Sequence, residues 1–288
     1  MRAIIAFAFA VFASAAYAAE APEQPGPEQW RDVDPANLVL IETKYGRVAV
    51  EMLPSFAPVN AQRFFDLVRA KFYDGSAFYR VIEGFVAQGG IGEGDDKKLE
   101  NWPPVKAEFD RTIGTETFTP VGSPDLWAEE IGHVDGFPVG RDHKENKEWI
   151  VHCPGTLAFA RDDNPDTAGT EFYIVIGQAP RRLDRNLTAF GRVIDGMQYL
   201  QKLNRGDPEV ESGVIQEAAK QDKIERMIVA ADLPENERPH YQVMRTEGTA
   251  FAKRREERLH VTSPFYTRTP AAVLDVCILQ APVRLVKD

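Results

Sequence analysis

The sequence predicts a mainly β fold, a closed barrel or sandwich rather than a doubly wound α/β sheet. Three observations carry this. Apolar residues come in short runs of strand length broken by Gly and Pro, a period-two alternation recurs, and few stretches show helical spacing.

The chain opens "MRAIIAFAFAVFASAAYAAE", one basic residue, an apolar run and a small-x-small pattern at Ala16-Tyr17-Ala18. That order predicts a signal peptide over 1–18 and an exported protein of a bacterial periplasm. The run is too short for a membrane span of about 20 residues, so no span is expected in the mature chain. Residues 19–36 are rich in Pro and acid and read as a flexible leader, with order beginning near Asn37.

In "NLVLIETKYGRVAVEML", Val48, Val50 and Met52 alternate against Arg47, Ala49 and Glu51, which predicts a hairpin with one buried face. The period then changes. Ala61, Phe64, Phe65 and Val68 recur at helical spacing behind Pro58, a residue suited to a first helical turn, so a helix should cover the hairpin. Strands are expected across 78–86, 156–176 and "TAFGRVI". Residues 91–150, rich in Gly, Pro and charge, read as a loop insertion around one short strand near 105–109. "GMQYLQKLNRG" predicts a short helix ending before Gly206, and "KIERMIVAADL" a further strand. Residues 234–288 read as a C-terminal extension, a helix around 240–259 followed by a β-like run.

Composition narrows function. The 288 residues are 43% hydrophobic and 27% charged, enough for one sizeable core and an elaboration. A net charge of −10 argues against a nucleic-acid partner. Cys153 and Cys277 are either a disulfide, permitted in an exported chain, or two buried thiols; their spacing does not decide. "GGIGEGD" opens no helix and reads as a turn. His133 and His143, with Asp135 and Asp142, match no metal spacing and read as a solvated loop. The sequon Asn186-Leu187-Thr188 is expected to stay unmodified, "KRREER" reads as the wet face of the tail helix, and no hydrolase nucleophile motif occurs.

Three blocks, "FYDGSAFYRVIEGFVAQGG", "GTLAFARDDNPDTAGTEFYIVIG" and "LDRNLTAFGRVIDGM", resemble in order and spacing the cyclophilin-type peptidyl-prolyl cis-trans isomerases. The resemblance spans 37–233, interrupted by the insertion. It implies an eight-stranded antiparallel β-barrel closed on itself and capped by two helices, acting on proline-containing polypeptides without metal or cofactor. It assigns Arg80 as the catalytic arginine. Phe85, Val86, Tyr173 and Leu183 become the proline pocket, with Phe172 nearby. Gln88 orients Arg80 and the substrate backbone, and Ala160 and Arg161 match a substrate-binding strand.

The chemistry suits these residue types. Twisting a peptide bond breaks amide resonance against a barrier of about 18–20 kcal/mol. The nitrogen of the twisted amide becomes a hydrogen-bond acceptor, and a fixed guanidinium can donate to it. No bond is broken, so no nucleophile or acid-base pair is required. Departures from the family pattern are Tyr79 in place of histidine, Glu171 in place of glutamine, Ile91 in place of an acid, Arg182 in place of an aromatic, and Leu187 in place of His or Tyr. They bear on turnover more than on fold, and Arg182 implies weak or no cyclosporin binding. The rival expectation is a barrel that retains the peptide groove as a chaperone or scaffold without catalysis.

Overall fold

The computed structural model describes residues 25–92 and 99–286. The expected signal peptide, the start of the leader and the end of "GGIGEGD" lie outside the described residues.

Nine antiparallel strands make the main sheet. In chain order they are β2 (Leu38–Thr43), β3 (Gly46–Met52), β4 (Ala77–Val81), β5 (Val86–Gly90), β11 (Thr156–Phe159), β12 (Phe172–Val175), β13 (Ala189–Asp195), β14 (Asp222–Lys223) and β15 (Arg226–Val229). Their spatial order is β14-β4-β5-β12-β11-β13-β3-β2-β15. The count is nine where eight were expected. β14 and β15 stand on opposite edges, yet only Ile224 and Glu225 separate them. The Ile224 amide donates to Ser76 on one edge and the Glu225 amide to Glu42 on the other. The sheet must therefore curl until its two edges meet at this segment.

Helix α1 (Pro58–Arg69) fits its sequence pattern: Pro58 takes the first turn, and Ala61, Phe64, Phe65 and Val68 are buried. The Phe64 ring meets Tyr73, Phe172 and Phe190 at 5.5–5.7 Å inside the barrel. No residue of the helix caps its own N-terminus. Glu108 does so from the insertion, accepting from the amides of Val59 (3.3 Å) and Asn60 (2.9 Å). The short helix expected before Gly206 is Met197–Leu200.

Three expectations for the segments outside the barrel are corrected. Within 91–150 the described residues are not loops around one strand. They build a second sheet of β6 (Arg111–Thr112), β7 (Phe118–Pro120), β8 (Glu130–Val134), β9 (Phe137–Asp142) and β10 (Lys147–Ile150), ordered β6-β10-β9-β8-β7, and 105–109 carries only a bridge from Val105 to Ala168. Fully buried Glu148 ties this sheet together between Arg111 (2.7 Å) and Arg141 (2.9 Å). The leader is structured from Pro27: β1 (Trp30–Asp32) pairs with β16 (His240–Met244), which pairs with β17 (Val283–Val286). The expected tail helix begins later, at Thr249, and runs to Leu259.

Finally, the β2–β3 hairpin buries both faces. Val39, Ile41, Val48 and Val50 point into the barrel, whereas Leu38, Leu40 and Ala49 pack against Tyr241, Val243, Phe251 and Leu279 of the extension. That is why "LVLI" reads as an unbroken apolar run. Cys153 and Cys277 form a disulfide that fastens the extension to the segment between β10 and β11. Among the described residues no helix is long and apolar enough to cross a membrane.

Candidate active site

The β4–β5 hairpin sets Arg80 directly opposite Gln88, and β12 sets Tyr173 opposite Gln88 on the other side. Alternation then sorts the neighbours. Val86, Tyr173 and Val175 face outward into one apolar cluster, and Ala87, Phe172 and Ile174 face the barrel interior. Phe172 therefore lies on the opposite face from the pocket expected of it, packed on Phe64 and Tyr73.

The Arg80 guanidinium is gripped from two directions. Nε donates to the Ser212 carbonyl at 2.8 Å and Nη1 to Gln88 Oε1 at 3.0 Å. The Ser212 loop runs beside β4, with the Ile215 amide on the Tyr79 carbonyl and the Gly206 amide on that of Val81. Glu211 and Ser212 both take left-handed conformations (φ 45° and 54°), uncommon for residues with a Cβ. Sequence reasoning missed Ser212, because a backbone carbonyl leaves no mark in residue identity.

Arg80 and Gln88 line a cleft of about 900 Å³ with Tyr79, Glu171, Ala160 and Arg161. The Gln88 amide donates to the Tyr79 hydroxyl at 2.6 Å, and the Glu171 carboxylate lies close by. Glu171 Oε1 accepts from the Ile91 amide at 3.1 Å. Burial raises the Glu171 pKa above the ordinary glutamate value, against the pull of neighbouring Tyr79 and the backbone amides. Burial and the Glu171 charge raise the Tyr79 pKa in turn, and burial lowers that of Arg80. Arg161 is held at the cleft wall by the Asn186 and Asp162 carbonyls.

Beside the cleft lies an apolar cluster, the candidate proline cup. Val86 and Tyr173 are buried, and half-buried Phe85, Ala160, Leu183 and Leu187 pack against them. The back of the cup is furnished by the inserted sheet, through Val134, Phe137, Val139 and Ile150. Arg182 is exposed.

His133 is not in a solvated loop. It sits on β8, fully buried, with its ring edge-on to Phe251 at 5.1 Å, and burial together with the Arg192 charge lowers its pKa to about 3. His143 pairs with Glu130 at 2.9 Å. Among the described residues no cluster of His, Cys, Asp and Glu could hold a metal ion.

Residues 38–229 match the family described as cyclophilin type peptidyl-prolyl cis-trans isomerase/CLD. The chain is 35% identical over 202 residues to a probable peptidyl-prolyl cis-trans isomerase of Brucella suis, covering 69% of this chain and 85% of that one. It is 27% identical over 170 residues to a peptidyl-prolyl cis-trans isomerase of Acinetobacter baylyi, covering 58% and 71%. The crystal structure of cyclophilin AquaCyp293 from Hirschia baltica is similar with a TM-score of 0.70 at 26% identity, over 90% of this chain and 94% of that chain. A share that large extends beyond residues 38–229.

Proposed function

The chain belongs to the cyclophilin-type peptidyl-prolyl cis-trans isomerase family, and from that premise we propose that Arg80 catalyses rotation of Xaa-Pro bonds by donating to the nitrogen of the twisted amide. The observation that carries this reading is the two-sided grip on the guanidinium by Ser212 and Gln88 at the wall of a cleft, next to an apolar cup. A fixed donor needs no reorganisation as the lone pair develops, so the twisted state gains more than either planar isomer does. Phe85, Val86, Tyr173 and Leu183 receive the proline ring. Gln88, Ala160 and Arg161 hold the substrate backbone while one end turns.

The clients in this reading are proline-containing segments of exported proteins. The Cys153–Cys277 disulfide supports an oxidising compartment, in keeping with the periplasm. Exposed Arg182, in place of an aromatic, supports weak cyclosporin binding.

The test is exchange NMR on an Ala-Pro peptide with the intact protein and with Arg80→Ala. The expected result is acceleration by the intact protein and a loss of about 100-fold in turnover on removing the donor. One observation favours a binding module instead: the Gln88 amide is already spent on Tyr79. Peptide resonances that shift with no gain in exchange rate would establish that alternative.

A further inference from the structure

A run of buried polar groups stands behind the apolar cup and does no work in the mechanism above. His152, fully buried, lies between Tyr173 and Asp184: Nε2 is 2.9 Å from the Tyr173 hydroxyl and Nδ1 is 3.0 Å from Asp184 Oδ1. An ionised carboxylate only accepts, so Nδ1 carries a proton and the uncharged ring takes the tyrosine proton at Nε2. Burial disfavours the Asp184 charge, but the hydrogen bond from His152 and the bond and charge of Arg181 outweigh it and hold the carboxyl below the ordinary aspartate value. The run continues outward. Arg181 Nε donates to Asp184 Oδ2 at 2.6 Å, and its two terminal nitrogens fork onto Asp125 at 2.9 Å each. Asp125 belongs to the inserted segment and also caps its own turn, accepting from the amides of Trp127 and Ala128.

Tyr173 is the only member of the cup whose ring carries a polar handle, and that handle points into this buried run. We propose that His152 is a positioning residue: through the Tyr173 hydroxyl it fixes the aromatic wall of the proline cup, and the inserted sheet anchors it through Asp125, Arg181 and Asp184. This rests on the reading that Tyr173 lines the proline cup. A wall held by a hydrogen bond, and not by packing alone, cannot tilt without breaking that bond, so the cup stays shaped for a five-membered ring before substrate arrives.

Two variants isolate the link. His152→Asn places an amide where Nδ1 stood, keeping a partner for Asp184 while losing Tyr173; Tyr173→Phe keeps the ring and removes the hydroxyl. Each is expected to weaken Ala-Pro peptide affinity by about tenfold, seen by NMR titration, with turnover at saturation in His152→Asn within about twofold, and the double variant should lose no more affinity than either single one. Asp125→Asn should give the same change in smaller measure. Wild-type affinity in His152→Asn, losses that multiply in the double variant, or a larger effect of His152→Asn on turnover at saturation would each overturn the proposal. The free protein supplies a readout that needs no peptide. The Tyr173 hydroxyl proton should be protected from solvent exchange in the wild type and lost from protection in His152→Asn, and its persistence there would equally overturn the claim. A wild-type protein that binds peptide without accelerating exchange refutes the catalytic reading and leaves this comparison intact.

Discussion

Glu171 and His133 are buried groups whose ionisation opposes the fold in opposite pH ranges. Glu171 has a raised pKa, so the folded state binds its proton more tightly than the unfolded chain does. Stability from this group is fully present below the ordinary glutamate value and falls as pH rises through the raised one. Glu171→Gln is therefore expected to be more stable than the wild type at pH 7, with the difference vanishing at pH 4 in denaturant titrations. His133 behaves in the reverse sense. Its pKa falls to about 3, so stability is fully present above the ordinary histidine value of 6.5 and is lost as pH falls toward 3. Neither ring nitrogen has a side-chain partner, so His133→Leu should raise stability at every pH and most at acid pH, read by thermal unfolding at pH 4 and pH 7. At this scale the candidate site was legible where side chains align across strands: Arg80, Gln88 and Tyr173 come from the first two blocks and stand opposite one another on β4, β5 and β12. The partners of His152 were not legible, because Tyr173 and Asp184 lie 21 and 32 residues away and only the tertiary fold brings them together.

The elements that the sequence announced are those with a strong period. Helix α1 and the β2–β3 hairpin could be read from spacing alone, because their apolar residues repeat over several turns or pleats. The inserted sheet could not. β6 and β7 are two and three residues long, too short to show alternation, and the sheet's cohesion comes from Glu148 between two arginines. The same segment acts on α1 through Glu108, a cap contributed from 48 residues away. Glu108→Ala should remove that cap and lower stability by about 1–2 kcal/mol, measured by urea unfolding, while α1 keeps its buried face.

Across the whole molecule, the added segments are built into the barrel. Glu51 on β3 meets Arg192 of β13 at 2.9 Å and Arg31 of β1 at 2.6 Å, and Arg192 also donates to the Gly136 carbonyl of the insertion. The leader, the insertion and the barrel therefore share one buried ion cluster, a long-range arrangement that no local pattern could have disclosed. The disulfide closes a separation of 124 residues, and on the chain-entropy model reduction should lower stability by about 5 kcal/mol, checked by denaturant titration with and without reductant and with Cys277→Ser. The same bond has a meaning in time. Cys153 is synthesised 124 residues ahead of its partner, and Leu38, Leu40 and Ala49 are made earlier still, so the barrel's outer wall stays bare and its thiol single while the extension is being made. During that interval the unfinished chain presents the kind of sticky surface from which nascent proteins aggregate, and its own maturation becomes a race between oxidation and association.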